Sequence, residues 1–232
     1  MAATAGALKW DQVGEKKYEM GVSKGVLYKY DTTDHKWYGV AWNGLTSVSA
    51  SPDGGDANDQ YADNIKYGSI RGAESYGGTI EAFTSPKEFD SCDGSQEIAT
   101  GVSVGQQPRE MFRLCYRSEQ GNDEKGQNYG YKIHCIYGCT CSPTERTHET
   151  INDNPDMETL SWDFDSTPVD VTGFKPTSEL IIDSTQFTGE TALAKLKLLE
   201  DKLYGVDADQ THSVAAAKPE MPDPDDLLDL ID

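Results

Sequence analysis

The sequence predicts a mainly β protein with one flanking α-helix near the C-terminus. Three observations favour this fold class: short segments of alternating apolar and polar residues, glycine-rich polar stretches between them, and a single leucine stripe at helical spacing. The chain has 232 residues, of which 22 are glycine and 12 are tyrosine, and its formal net charge is −20. This length fits one large β domain with short appendages.

The N-terminal part of the chain predicts an arm followed by a hairpin. Residues 1–9 are small and polar, which is typical of a flexible arm. Alternating residues predict strands over 24–30 and 37–42, joined by the polar turn 31–36. Residues 50–60 contain a proline and two glycines among acids and are interpreted as a polar loop.

Two extended stretches and a short helical turn follow that loop. The stretches cover 61–70 and 77–85, and the second alternates in the manner of a strand. Pro86 is suited to the first position of a short helical turn over 86–92, with Ser85 as its cap.

The best β signal lies between residues 98 and 141. Phe112, Leu114 and Tyr116 alternate with polar or small residues up to a polar turn at 121–128. A long strand then follows, whose side chains of one parity predict a single apolar face: Tyr131, Ile133, Cys135, Tyr137, Cys139 and Cys141. Two further strands are predicted around Trp162 and Phe164 and over 180–183.

One helix is predicted before a change in composition. Its leucine stripe is expected to pack on a sheet face and consists of Leu193, Leu196, Leu199 and Leu203. Thr188 or Thr191 can cap its start, and Gly205 can end it. The domain is therefore placed at 10–205. Residues 206–232 hold eight acidic residues against one lysine and are predicted to be a disordered tail, or one that docks through its leucines.

The charge and the cysteine count restrict the function. An acidic chain has no global basic footprint for nucleic acid, and it does not favour an anionic membrane surface. The start of the chain lacks the basic and apolar regions of a signal peptide, and no run approaches the ~18 apolar residues of a membrane span. Five cysteines without a secretion signal favour free thiols in a reducing cytoplasm.

The cluster His134, Cys135, Cys139 and Cys141 is the strongest metal candidate, but its spacing is unfavourable. Zinc sites use paired C-x-x-C ligands, whereas these cysteines follow C-x-x-x-C-x-C. On a strand with ~3.3 Å per residue, Cys135 and Cys139 lie roughly 13 Å apart, and His134 points to the opposite face. Buried small hydrophobes are the favoured interpretation. A nucleophile pair has no recognisable context, whether Cys115 or Cys135 is combined with His134, His148 or His35.

Other chemical motifs are also weak. Asp53, Asp56 and Asp59, and the cluster at 152–156, do not match a calcium-binding loop, and turn formation explains both. No phosphate-binding loop or nucleophile elbow stands between a strand and a helix. We therefore expect no enzymatic activity and assign no catalytic, cofactor-binding or metal-binding residue.

Eight stretches, in order over residues 9–205, carry a family resemblance: KWDQVGEKKYEMGVSKGVLY, YGVAWNGLTSVSASPDGGDA, YADNIKYGSI, GGTIEAFTSPKEFDSCDGS, SVGQQPREMFRLCYRSEQGND, YGYKIHCIYGCTCSPTERTHETINDNP, SWDFDSTPVDVTG and KPTSELIIDST. This series resembles the major tail protein, or tail tube protein, of long-tailed bacteriophages. The resemblance implies a β-sandwich or barrel with a flanking helix. It also implies that six copies form a ring and that stacked rings form a hollow tube.

The same resemblance implies a set of partners and a location. The partners are other copies of the chain and the tape-measure, tail-terminator and baseplate or distal tail proteins. DNA passes through the lumen without specific binding. The protein is expected in the virion tail after synthesis in the host cytoplasm. The segments implied to bridge subunits correspond to residues 1–10, 47–60 and 206–232.

Two main hypotheses therefore remain open from the sequence, with an enzyme whose site is not recognised as the third. In the first, acids of the domain line a lumen that repels phosphate, and deletion of 1–9 or 47–60 leaves a folded monomer that cannot polymerise. In the second, the chain is a β-sandwich binding module, such as a virion decoration protein or a carbohydrate binder. The second requires a shared groove of exposed aromatics, for which the candidates are Trp10, Trp37, Trp42 and Trp162.

Overall fold

The computed structural model describes residues 7–72, 74–151, 153, 156–208 and 215–231. The chain is mainly β, as the sequence predicts. Its strands are β1 (Lys17–Asp31), β2 (Lys36–Trp42), β3 (Leu45–Gly54), β4 (Ala57–Ala62), β5 (Ile65–Arg71), β6 (Glu74–Ala82), β7 (Gln96–Ala99), β8 (Val102–Val104), β9 (Phe112–Asn122), β10 (Gly126–Cys141), β11 (Leu160–Ser166) and β12 (Glu179–Asp183). The helices are α1 (Asp90–Asp93), α2 (Glu190–Tyr204) and α3 (Pro224–Leu228).

Eight strands form one large antiparallel sheet, and two pairs form separate hairpins. The main sheet runs β2-β1-β9-β10-β11-β6-β3, and β12 also pairs with β10. The first half of β10 pairs with β12, and its last residues pair with β11. The sheet therefore changes partners along β10, and this divides it into a first half-sheet (β2, β1, β9, β12 and the start of β10) and a second half-sheet (β3, β6, β11 and the end of β10).

The two half-sheets pack face to face around one apolar core, an arrangement consistent with a β-sandwich. Leu27, Phe112 and Leu114 from the first half meet Ile80 and Trp162 from the second. The helical turn predicted after Pro86 closes the end of this core. It consists of a 3-10 turn over Lys87–Phe89 followed by α1, and Phe89 and Cys92 are buried. No side chain caps this turn, which differs from the role predicted for Ser85.

A second apolar cluster covers the outer face of the first half-sheet. Tyr28, Cys115 and Ile133 contact the leucine stripe of α2 in this cluster. Leu196, Leu199 and Leu203 are buried, which confirms the predicted packing, whereas Leu193 is exposed. Gly205 ends the helix at φ +79°, as predicted. Gly189, and neither predicted threonine, occupies the cap position at its start.

The prediction of one apolar face along β10 is wrong beyond residue 137. Cys135 and Tyr137 belong to the outer cluster, whereas Cys139 and Cys141 belong to the core between the half-sheets. The reversal occurs at Gly138, which adopts φ +60° and breaks the two-residue alternation. A Cβ at this position would lie 2.2 Å from the Thr167 carbonyl oxygen, so glycine is required.

Of the two expectations for the tail, the structure agrees with docking through its leucines and differs from disorder. Residues 215–231, here the C-terminal segment, pack on the first half-sheet, and Met221 and Leu227 are buried there. Residues 209–214 and 232 lie outside the described residues. The composition is acidic, but four apolar side chains belong to the outer cluster or pack against it, namely Met221, Leu227, Leu230 and Ile231, and Glu220 and Asp223 contact cations, as described below. The boundary predicted at 205 therefore does not separate a folded part from an unfolded one.

Two further segments differ from, or only partly test, the sequence interpretation. The predicted polar loop 50–60 instead continues β3 to Gly54 and begins β4 at Ala57. Of the predicted arm, residues 1–6 lie outside the described residues, and residues 7–9 are exposed without regular structure. Among the described residues, no helix is both long enough and apolar enough to span a membrane.

Candidate assembly and channel surfaces

The outer face of the second half-sheet is polar, acidic and open to solvent. Alternation along β6 and β11 directs Ile80, Trp162 and Phe164 into the core, so their neighbours in sequence point outward. Cross-strand pairing aligns these outward residues in three rows over β3, β6 and β11: Ser47, Glu81 and Ser161; Ser49, Thr79 and Asp163; Ser51, Gly77 and Asp165. We call these nine residues the bare face.

The bare face carries three carboxylates and no basic side chain. The Ser47 hydroxyl donates to Glu81 at 2.7 Å, and the Thr79 hydroxyl donates to Asp163 at 2.7 Å. These small hydroxyl groups orient the carboxylates without neutralising them. The face therefore presents water with a fixed negative charge, which repels phosphate and attracts cations. It contains no aromatic side chain on which a base or a sugar ring could stack.

The β4–β5 hairpin projects from the ends of β3 and β6 and forms a sheet of its own. Its turn contains Asp63 and Asn64, both at positive φ, as a tight two-residue hairpin turn requires. Four large apolar side chains on it are between 65% and 79% exposed: Tyr61, Ile65, Tyr67 and Ile70. An isolated two-stranded hairpin is at best marginally stable in water. Such a surface is therefore suited to contact another protein surface.

The two edge strands of the main sheet, β2 and β3, differ in whether another part of the chain pairs with them. The C-terminal segment covers the β2 edge, because the Gly39 amide donates to the Pro219 carbonyl at 2.9 Å and the Met221 amide donates to the Trp37 carbonyl at 3.1 Å. Among the described residues, no strand pairs with the outer side of β3. An open edge is a template for pairing with another chain.

Ionic contacts hold the C-terminal segment against the first half-sheet. The buried Arg113 guanidinium donates to the Met221 carbonyl at 2.8 Å and to the Asp223 carboxylate, and it lies over the Trp37 ring at 4.4 Å. Lys202 and Lys36 contact Glu220 at 2.9 Å and 3.1 Å. Glu220 and Asp223 of the acidic C-terminal segment are thus paired with specific cations of the domain.

The cysteines are buried free thiols, as the small-hydrophobe interpretation predicted. Cys115 and Cys135 lie directly opposite each other on β9 and β10. Burial raises the pKa of Cys92 to about 11 and that of Cys141 to about 12. Burial also raises the pKa of Cys139 well above its usual value. A raised pKa disfavours the thiolate, which is the nucleophilic form.

A polar network around His134 was not predicted from the sequence. His134 Nε2 lies 3.0 Å from the Ser118 hydroxyl and Nδ1 lies 2.9 Å from Glu179, while the imidazole stacks on Tyr116 with the ring centroids 4.7 Å apart. The chain of contacts from Ser118 through His134 to Glu179 resembles a Ser-His-acid triad. However, Ser118 has one hydroxyl proton, and Glu19 accepts it at the shorter distance of 2.6 Å. The hydroxyl is therefore directed away from the imidazole, and the network joins strands rather than activating a nucleophile.

The remaining candidate residues do not converge on one site. In the described part of the chain, no three His, Cys, Asp or Glu side chains are arranged to hold a metal ion. Trp42 and Trp162 are buried in the core with ring centroids 5.6 Å apart, and Trp37 lies under Arg113. Trp10 is exposed and far along the chain from the others. The four tryptophans therefore do not form the shared aromatic groove that a carbohydrate binder requires.

Comparison with known proteins gives no independent assignment. No protein-family model matches the chain, and no curated protein matches it significantly.

Proposed function

We propose that this protein is the structural subunit of a phage tail tube, in which stacked rings, each of six copies in the family it resembles, surround a channel that conducts DNA. The observation that carries the proposal is the bare face. It is an uncovered sheet surface with three carboxylates, no cation and no aromatic group. A channel wall of this kind repels the DNA backbone and offers no stacking platform, so DNA moves along it with little adhesion.

The projecting hairpin and the open sheet edge support self-assembly. The β4–β5 hairpin presents four exposed apolar side chains, and the β3 edge is unpaired within the described chain. Head-to-tail contacts between different surfaces of identical subunits close into rings, and rings that repeat along an axis form a tube. The role is structural and requires no catalytic residue, cofactor or metal. The proposed location is the virion tail, after synthesis in the host cytoplasm. The proposed partners are the tape-measure, tail-terminator and baseplate proteins.

Electron microscopy of negatively stained, concentrated protein tests the assembly directly. The expected result is hollow tubes of constant diameter. The matched variant removes residues 56–71 and joins Gly55 to Gly72. These two residues already adjoin, since a Cβ on Gly55 would lie 2.9 Å from the Gly72 Cα. We expect this variant to remain folded, with an unchanged urea midpoint, and to form no tubes. Tubes of normal length from this variant would contradict the role of the hairpin.

The channel assignment is tested by reversing the charge of the bare face. Tubes of the triple variant Glu81→Lys, Asp163→Lys and Asp165→Lys should retain short labelled DNA duplexes at low salt and release them at high salt. Wild-type tubes should retain none under either condition. Triple charge reversal at three exposed acids on or next to the C-terminal segment, Asp207, Asp226 and Asp229, provides the control. Equal retention by both variants would exclude the bare face as the channel wall.

The alternative binding module predicts different behaviour in two measurements. It requires a monomer or small oligomer at all concentrations in size-exclusion chromatography, together with specific binding on a glycan array. The dispersed tryptophans favour the tube subunit over this alternative. An obligate monomer with a defined glycan ligand would reverse that preference.

A further inference from the structure

An apolar groove of about 250 Å³ opens beside β12. It lies where β12, the chain that follows it, α2 and the C-terminal segment meet. Its walls include Ile182, Phe187, Leu199, Leu227 and Ile231. The groove follows from the packing of α3, whose buried Leu227 forms one wall while Leu228 and Ile231 remain partly exposed at the rim.

The groove runs along a strand edge that can accept another strand. β12 pairs with β10 on one side, and in the described part of the chain no strand pairs with its other side. Its two faces differ, because Leu180 and Ile182 point to the apolar cluster under α2, whereas Glu179, Ile181 and Asp183 have the opposite parity. A strand added at this edge would therefore meet an apolar surface on one face and, on the other, the two carboxylates that flank Ile181.

The N-terminal segment, residues 7–13, has the complementary pattern. Leu8, Trp10 and Val13 are between 72% and 83% exposed. Gly14 holds the end of the segment to the β9–β10 turn, because its amide donates to Asp123 at 3.0 Å. Leu8 and Trp10 share one parity, and Lys9 between them has the other. This is the alternation that an added strand needs to fill a groove on one face and meet acids on the other.

We infer that residues 7–10 of one copy add as a strand to the free edge of β12 in a second copy. Leu8 and Trp10 enter the apolar groove, and Lys9 faces Asp183. The occupant comes from another copy because these side chains lie exposed, and not in the groove, within their own chain. Charge favours the pairing, since residues 7–17 carry three lysines and two acids in a chain of net charge −20. The inference specifies one contact of the self-assembly proposed above and rests on it.

A fluorescent peptide with the sequence of residues 7–17 tests the groove directly. It is titrated into full-length protein held below the concentration at which tubes form, and fluorescence anisotropy measures the binding. We expect saturable binding, with at least a tenfold loss for the Trp10→Ala peptide because the buried aromatic ring is removed. Leu228→Asp at the rim of the groove in the full-length protein should weaken binding to a similar extent. Leu193→Asp is the control, because Leu193 is an exposed leucine that does not line the groove.

The proposed contact between Lys9 and Asp183 is tested by a double-mutant cycle. Asp183→Asn keeps an oxygen that can accept from the Thr185 amide, as Asp183 does at 2.9 Å, but removes the charge. The single changes Lys9→Gln in the peptide and Asp183→Asn in the protein should each weaken binding severalfold. The double change should be no weaker than either one. Fully additive losses would overturn the Lys9–Asp183 contact.

The outcomes separate this inference from the proposed function. Tubes that form normally from Leu228→Asp protein, with no peptide binding to the wild type, would overturn the inference and leave the tube proposal intact. Specific peptide binding by a protein that never forms tubes would support the groove and contradict the proposed function. Binding that requires prior deletion of the protein's own residues 7–13, with the wild type remaining monomeric, would show docking within one chain and overturn the contact between copies.

Discussion

The outer faces of the two half-sheets differ in that one is covered by the rest of the chain and the other is open to solvent. The first half-sheet presents Tyr28, Cys115 and Ile133, and the chain covers them with α2 and the C-terminal segment. The second half-sheet presents serine, threonine, glycine and carboxylates, and the rows of the bare face remain open to water. Both faces come from the same folded sheet, so the difference lies in the side chains and not in the backbone.

This difference indicates how each face can take part in an assembly. Burial of apolar area stabilises by about 25 cal/mol per Å², so the first face gains stability from a cover within its own chain. Burial of the carboxylates of the bare face would instead cost several kcal/mol per unpaired charge. In the proposed tube, contacts between copies are therefore expected through edges, hairpins and arms, while the bare face stays hydrated.

The largest effect on the free energy of unfolding is expected where α2 packs on the first half-sheet. Leu203→Ala removes a fully buried side chain from α2 and should lower the free energy of unfolding by about 3 kcal/mol. Urea denaturation measures this change. Leu198→Ala alters the exposed side of the same helix and should change the free energy by less than about 0.5 kcal/mol. Equal effects of the two variants would indicate that α2 does not cover the sheet in solution.

A second variant tests the attachment of the C-terminal segment. Arg113→Met retains bulk but loses the donors to Met221 and Asp223, and it should cost about 2 kcal/mol. Cleavage by a nonspecific protease within residues 215–231 should become faster, as followed by mass spectrometry. Arg113→Lys keeps the charge and should lie between the variant and the wild type. An unchanged cleavage rate would contradict the role of Arg113 in holding this segment.

Acid should loosen the same segment by a smaller amount. Burial by itself would raise the pKa of Glu220, but hydrogen bonds and charge from Lys202 and Lys36 outweigh it and lower the pKa. A lowered pKa in the folded state means that these ion pairs stabilise the protein at neutral pH and that this stability is lost as the pH falls through the folded-state pKa. Glu220→Gln should therefore be less stable than the wild type at pH 7, with a difference that shrinks by pH 3. A difference independent of pH would contradict this assignment.

The smallest effect is expected on the bare face. Asp163→Asn and Asp165→Asn exchange exposed carboxylates for amides of similar size. Each should change the free energy of unfolding by less than about 0.5 kcal/mol in urea denaturation. A large loss of stability would mean that this face is buried or tightly paired in solution.

The features predicted from the sequence are those that depend on local periodicity. Alternation located most of the strands, and the leucine spacing located α2, because each reports the face that a residue presents to an apolar layer. The reversal along β10 could not be predicted in this way. It depends on the contact between Gly138 and the Thr167 backbone, which are brought together by the fold.

The unpredicted features depend on partners distant in the chain. The C-terminal segment has a composition typical of disorder, and its order comes from Arg113 and from the apolar cluster under α2. The strand at 57–62 is polar and gains its structure from pairing with β5. The three rows of the bare face could be assembled only once the register of β3, β6 and β11 was known.

Because β10 continues through the bend at Gly138, one covalent strand connects the first half-sheet to the second. One end of this strand is hydrogen-bonded beneath the helix, and the other end is bonded to β11 beside the open acidic rows. Force applied to one half-sheet is thus transmitted to the other through the backbone of β10, and not only through side-chain packing. In the proposed tube, the wall would therefore resist shear between its inner and outer surfaces. Separating the two half-sheets would require breaking the backbone hydrogen bonds that β10 makes with its neighbouring strands.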